Sequence, residues 1–169
     1  MRGVLCSEAS RASVPTVGPA KRDRIVAMLR KMRQRQVPIH GLGMQAHYNV
    51  HWPDARMVEA AIDSFRQVVD VIHITEMDVR ASHEAGGQLT FSQGQSGTPD
   101  RETLARFNSQ YASLFRVFSR HSDIIGNVTF WNLSDNDSWL GADNYPLIIG
   151  RDYKPKAAYY IVRDLARPE

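Results

Sequence analysis

The stretch Val71-Ile72-His73-Ile74-Thr75-Glu76-Met77-Asp78 decides how this chain is read. Its β-branched apolar start is a strand signal, and its end carries two carboxylates. In strand geometry Ile72, Ile74, Glu76 and Asp78 alternate with His73, Thr75 and Met77, so the acids are expected on one face with two buried isoleucines. A face that starts apolar and ends charged opens into a cleft, because carboxylates are rarely buried without a partner.

Upstream of that strand, Val58, Ala61, Ile62, Phe65 and Val69 form one stripe of a helix over 54–68, with Asp54 placed to cap it. Before it, Ile39 to Gln45 is a short strand whose Gly41 and Gly43 allow close backbone packing, preceded by a helix over 19–35. Downstream, Ala81 to Gly97 is glycine-rich and is expected as a long loop walling a site. Thr98-Pro99-Asp100 then opens a helix with Leu104, Phe107, Tyr111, Leu114, Phe115 and Phe118 at core spacing. Ile125 to Trp131 is the last strand, Asn132 to Tyr145 a second loop, and Pro155 to Leu165 the closing helix. Residues 1–20 show no period and are expected as an irregular lead-in with at most a short strand at Gly3 to Cys6, which leaves 21–169 as the patterned unit. Strands alternating with helices imply an α/β fold with a parallel sheet, which binds ligands beyond the carboxyl ends of its strands.

At 169 residues and 43% hydrophobic the chain can bury one ordinary core. The sole cysteine, Cys6, cannot form an internal disulfide. No run approaches the roughly 20 apolar residues of a membrane helix. Val4-Leu5-Cys6 after Arg2 is too short for a signal-peptide core, so no membrane partner is expected and localisation stays open. The net charge of +3 gathers at Lys21, Arg22, Arg24, Arg30, Lys31, Arg33 and Arg35. There Ile25, Met28, Leu29 and Met32 keep helical spacing, so the basic residues read as a solvated outer face and no nucleic-acid partner is expected.

The unusual polar residues fall at successive strand ends: Gln45 and His47, then Glu76 and Asp78, then Trp131 and the Asp135-Asn136-Asp137-Ser138-Trp139 loop. In a parallel barrel that end is where chemistry is done. Two chemistries fit. A retaining glycosidase would use Glu76 as the nucleophile that forms a glycosyl-enzyme, with Asp78 holding His47, His47 orienting Glu76, and Trp131 and Trp139 offering flat faces to sugar rings. A metal-dependent hydrolase would gather His47, His51, Glu76 and Asp78 on a divalent ion, although Trp52-Pro53 argues against the helix that would align the two histidines. Asp135 and Asp137 lack the glycine and glutamate of a calcium loop and read as a capped turn.

At these residues the chain resembles glycoside hydrolase family 10, the endo-1,4-β-xylanases. Pro38 to His47 resembles the family's strand-six motif, Val71 to Asp78 its Ile-Thr-Glu-Leu-Asp motif with Met77 in place of leucine, and Val128 to Trp131 with Ser134-Asp135 and Asp137 to Leu140 its strand-eight motif. Pro146-Leu147 and Tyr153 to Tyr159 resemble the family's C-terminal end. The resemblance implies a partial (β/α)8 TIM barrel holding about strands six to eight and the helices after strands five to eight. It implies a hydrolase of xylan or xylo-oligosaccharides with Glu76 as nucleophile, Asp78 supporting His47, Gln45 and His47 lining the catalytic subsite, Trp131 and Trp139 forming the sugar platform, and no cofactor. Family members are usually exported.

The family's acid/base motif, Trp-Asp-Val-Val-Asn-Glu, does not occur in these 169 residues, nor does its fifth-strand Asn-Asp-Tyr motif. A fragment of that kind is expected to be weak or inactive alone, and to self-associate or pair with an N-terminal half. The alternative is a non-catalytic xylan-binding half-domain using Trp131, Trp139 and Gln45 as a platform.

Overall fold

The computed structural model describes residues 3–6, 17–81, 99–141 and 144–166, with backbone alone at 3–6. The expected glycine-rich loop at 81–97 lies, apart from Ala81, outside the described residues. Along the chain run β1 (Gly3–Cys6), α1 (Pro19–Gln34), β2 (Ile39–Met44), β3 (His47–Asn49), α2 (Ala55–Phe65), β4 (Val71–Arg80), α3 (Arg101–Arg120), β5 (Ile125–Phe130), a 3-10 turn (Asp135–Asp137) and α4 (Ala157–Leu165).

All the strand pairings are parallel, as helical crossovers require. The order is β1-β2-β4-β5, and β3 continues β2 along the same side of β4. The sheet is a sector of a (β/α)8 barrel. It includes β1 inside the stretch expected to be mostly irregular, paired from Gly3↔Ile39 to Cys6↔Gly43.

Local chemistry places the helices. Asp54 accepts the Met57 N–H at 2.8 Å and Asp100 the Thr103 N–H at 2.8 Å, so each carboxylate satisfies a donor the first turn leaves open. Pro19 starts α1, whose last turn carries Lys31 and Arg33 against the negative end of the dipole. The helices cover one face of the sheet: Leu29, Val58, Ile62, Phe65, Leu114, Val117 and Ala158 join Leu42, Met44, Ile72 and Ile74 in one cluster, each fully buried.

The alternation expected along β4 holds only for its first half. From Met44↔Ile74 to His47↔Asp78, three steps on the β2–β3 side span four on β4, and the pairing with β5 slips between Ile74 and Met77 as well. An extra residue in β4 reverses the pleat. Ile72 and Ile74 face the helices, whereas beyond the slip Met77 and Val79 do, opposite Phe130, whose ring stacks on Phe115 of α3 at 6.1 Å. Glu76 and Asp78 therefore do not share a face with the isoleucines; they continue the inward face of Val71 and His73. That face approaches β5 closely: a Cβ at Gly126 would lie 2.7 Å from Val71 Cγ2.

Candidate functional site

The bulge brings three elements together. His47 opens β3 after Ala46, a non-glycine residue with φ of 66°, and the Gln45 and Ala46 carbonyls accept the N–H groups of Glu76 (3.0 Å) and Asp78 (3.3 Å). Left-handed backbone at a residue with a Cβ is a strained arrangement that neighbouring bonds must hold. Here they fix the His47 ring between the two acids: Nδ1 lies 3.0 Å from Asp78 Oδ2 and Nε2 lies 3.3 Å from Glu76 Oε2.

Trp139 closes the group from the third side. Its Nε1–H donates to Asp78 Oδ2 at 2.9 Å, and its ring centroid lies 4.9 Å from that of His47. The loop after β5 delivers it by taking over β5's pairing partner. β5 stops opposite Met77, and the Val79 and Ala81 N–H groups donate instead to the Pro146 and Asn144 carbonyls at 3.0 and 2.9 Å. Tyr111 of α3 donates its hydroxyl to the same Pro146 carbonyl at 2.9 Å.

The electrostatics differ among the members. Asp78 is fully buried, whereas the Glu76 side chain keeps 18% of its surface exposed and so stays reachable from solvent. Burial lowers the affinity of His47 for its proton, but the hydrogen bonds and charges of Asp78, then Glu76, outweigh it and raise its pKa above 6.5. A protonated imidazole donates from both nitrogens, one to each carboxylate, which holds the Glu76 carboxylate in one orientation.

Of the residues singled out in the sequence, Glu76, His47, Asp78 and Trp139 form one group, with His47 in contact with each of the other three. Gln45 joins them through its backbone. Trp131 is held to the strand end by its N–H donating to the Met77 carbonyl at 3.1 Å and is 42% exposed. His51 is exposed, and among the described residues no group of three or more His, Cys, Asp or Glu side chains could hold a metal ion. The set of His47, His51 and Glu76 is thus not assembled, because the chain turns back after β3 through the Asn49–Trp52 bridge. Asp135 and Asp137 form a capped turn, in which Asp137 Oδ2 accepts from both the hydroxyl (2.6 Å) and the N–H (3.2 Å) of Ser134.

A buried pair went unseen in the sequence. Lys156 Nζ lies 2.7 Å from Asp135 Oδ2, with both side chains almost fully buried. A signal existed: Lys156 is the N-cap of α4, where the helix dipole opposes a positive charge, so a lysine there needs a partner.

Comparison with known proteins shows the family and the fold. The sequence pattern of Glycosyl hydrolase family 10 matches residues 15–165, and the chain belongs to that family. It is 48% identical over 148 residues to an endo-1,4-beta-xylanase/feruloyl esterase of Xylanibacter ruminicola, covering 88% of this chain and 20% of that protein. It is 31% identical over 150 residues to an endo-1,4-beta-xylanase of Geobacillus stearothermophilus, covering 85% and 44%. Among solved structures, a psychrophilic family 10 endo-beta-1,4-xylanase superposes with a TM-score of 0.79 at 45% identity, covering 87% of this chain and 43% of that one. A Thermobacillus composti family 10 xylanase gives a TM-score of 0.79 at 32% identity, covering 89% and 50%. The chain thus spans from a fifth to half of the length of these relatives.

Proposed function

We propose that this chain carries the nucleophile half of a retaining endo-1,4-β-xylanase site, with Glu76 as the attacking carboxylate. The observation that supports this best is the His47 bridge: one ring joins a partly exposed carboxylate to a buried one, so the buried Asp78 orients the imidazole that positions Glu76. In the forward step a Glu76 oxygen attacks the anomeric carbon of a bound xyloside, the glycosidic bond breaks, and the departing oxygen takes a proton from a separate acid. Water, giving a proton back to that same group now acting as base, then attacks the anomeric carbon of the glycosyl-enzyme, the ester bond to Glu76 breaks and the Glu76 carboxylate is freed. Gln45, Trp131 and Trp139 would line the sugar path, the indoles by stacking on its apolar faces.

The acid/base carboxyl would come from outside these residues, so hydrolysis of xylan by this chain alone is expected to be weak or absent. Loss of a general acid typically costs about 10² to 10⁴ in rate. A leaving group that needs no proton bypasses that loss. With 2,4-dinitrophenyl β-xylobioside the chain should release up to one equivalent of dinitrophenolate as a burst, then slow, with azide restoring turnover as a substitute nucleophile. Glu76→Gln should show no burst. A burst that survives in Glu76→Gln contradicts the assignment; tight xylan binding with no burst in the parent chain favours a non-catalytic binding half-domain. Among the described residues β1 and β5 each pair with one strand only, and such edges would lead the isolated chain to self-associate or to bind the complementary barrel half; a monomer at all concentrations in sedimentation equilibrium would contradict this.

A further inference from the structure

The loop between β5 and α4 carries both exposed indoles, and one buried residue, Asp135, ties it in three places, two through its carboxylate and one through its backbone N–H. Asp135 Oδ1 accepts the Leu147 N–H at 2.9 Å and a Lys156 Nζ proton at 2.9 Å, while the Asp135 N–H donates to the Ile149 carbonyl at 3.2 Å. Lys156 also donates to the Tyr145 carbonyl at 3.3 Å and stands 3.2 Å from the centroid of the Tyr145 ring. Asn136 Nδ2 donates to the Arg151 carbonyl at 2.6 Å, so the turn is fastened on both sides. Trp139 follows that turn directly.

An ammonium that is out of water and at a helix N-terminus is unfavourable on both counts. Burial pulls Lys156 down to about 8, and it also raises Asp135 above the ordinary carboxylate value against the pull of Lys156. The pair is thus poorly suited to supply stability. Neutral side chains of similar volume often replace a buried pair with little loss of stability, and in some proteins the role such a pair keeps is to set register.

We propose that Asp135 and Lys156 are positioning residues for the sugar platform: their buried pair holds the 3-10 turn in register so that the Trp139 indole stays on Asp78 and beside His47. This rests on the reading of Trp139 as a sugar-contacting side chain. The distances carry it: from Lys156 to Asp135, through the capped turn, to an indole 2.9 Å from the buried acid of the site.

The test uses the full chain labelled with 5-fluorotryptophan, with the Trp139 ¹⁹F resonance assigned by Trp139→Phe. The double variant Asp135→Asn/Lys156→Met should melt cooperatively, shift or broaden the Trp139 resonance, leave Trp52 unmoved, and bind xylotriose about tenfold more weakly, as displacement of a positioned group implies. Lys154→Ala, at an exposed neighbouring position, should change none of these. An unmoved Trp139 resonance in the folded double variant overturns the proposal. So does loss of cooperative melting, because the pair would then hold the fold and not the loop. If the resonance moves but the parent chain binds no xylotriose, the tie stands and the sugar reading of Trp139 fails.

Discussion

The two halves of β4 make opposite use of one pleat. In Val71 to Ile74 the even residues pack on the helices; in Glu76 to Arg80 the odd residues do, and the side chains at Ile72, Ile74, Met77 and Val79 are all fully buried. The core thus runs unbroken through the slip, while the inward face changes from Val71 and His73 to Glu76 and Asp78. A bulge in a central strand can add a polar residue to a cleft without removing an apolar one from the core. Within the strand, then, fold and chemistry are separable by position.

That separation sets the ranking of variants. Ile74→Ala, in the half that only packs, should lower the free energy of urea unfolding by about 2–5 kcal/mol, the range for truncating a fully buried aliphatic side chain. Asp78→Asn lies across the slip and should cost about 1–3 kcal/mol, since a buried hydrogen-bond network loses its charge. The second variant has a pH signature as well. Because the folded state raises the pKa of His47, its contribution is fully present below 6.5 and is lost as pH rises through the raised value. The stability difference between the parent chain and Asp78→Asn should therefore shrink from acidic toward alkaline pH, and histidine NMR should show His47 titrating lower in the variant. Glu76→Gln should change stability least, by about 0.5 kcal/mol, because its side chain is partly exposed and only one of its oxygens meets His47. A Glu76→Gln cost equal to that of Ile74→Ala would erase the distinction between the two halves.

Local signals in the sequence reached far. Asp54 and Asp100 announce their helices because a cap acts within three residues, and the aromatic spacing of Phe107, Tyr111 and Phe115 places α3 against the sheet. The grouping of Glu76, His47, Asp78 and Trp139 was also legible, since parallel strands align their polar ends. What could not be read is the phase of β4 beyond Ile74. Its bulge is defined by pairing with strands about 30 and 53 residues away, and nothing between Ile74 and Met77 marks an insertion. Strand β3 escaped for the same reason: three residues pairing only with the far side of the bulge carry no period of their own. The Asp135–Lys156 pair spans 21 residues, and only the misplaced charge at the N-cap of α4 hinted at it.

Covalent capture tests the central claim most directly. A 2-deoxy-2-fluoro-β-xylobioside with a dinitrophenyl leaving group slows release of the glycosyl-enzyme more than its formation, so the intermediate accumulates. Peptide mapping by mass spectrometry should find one fluoroxylobiosyl group, attached through an ester at Glu76. A stable adduct on any other side chain, or on Glu76→Gln at the parental rate, would contradict the account.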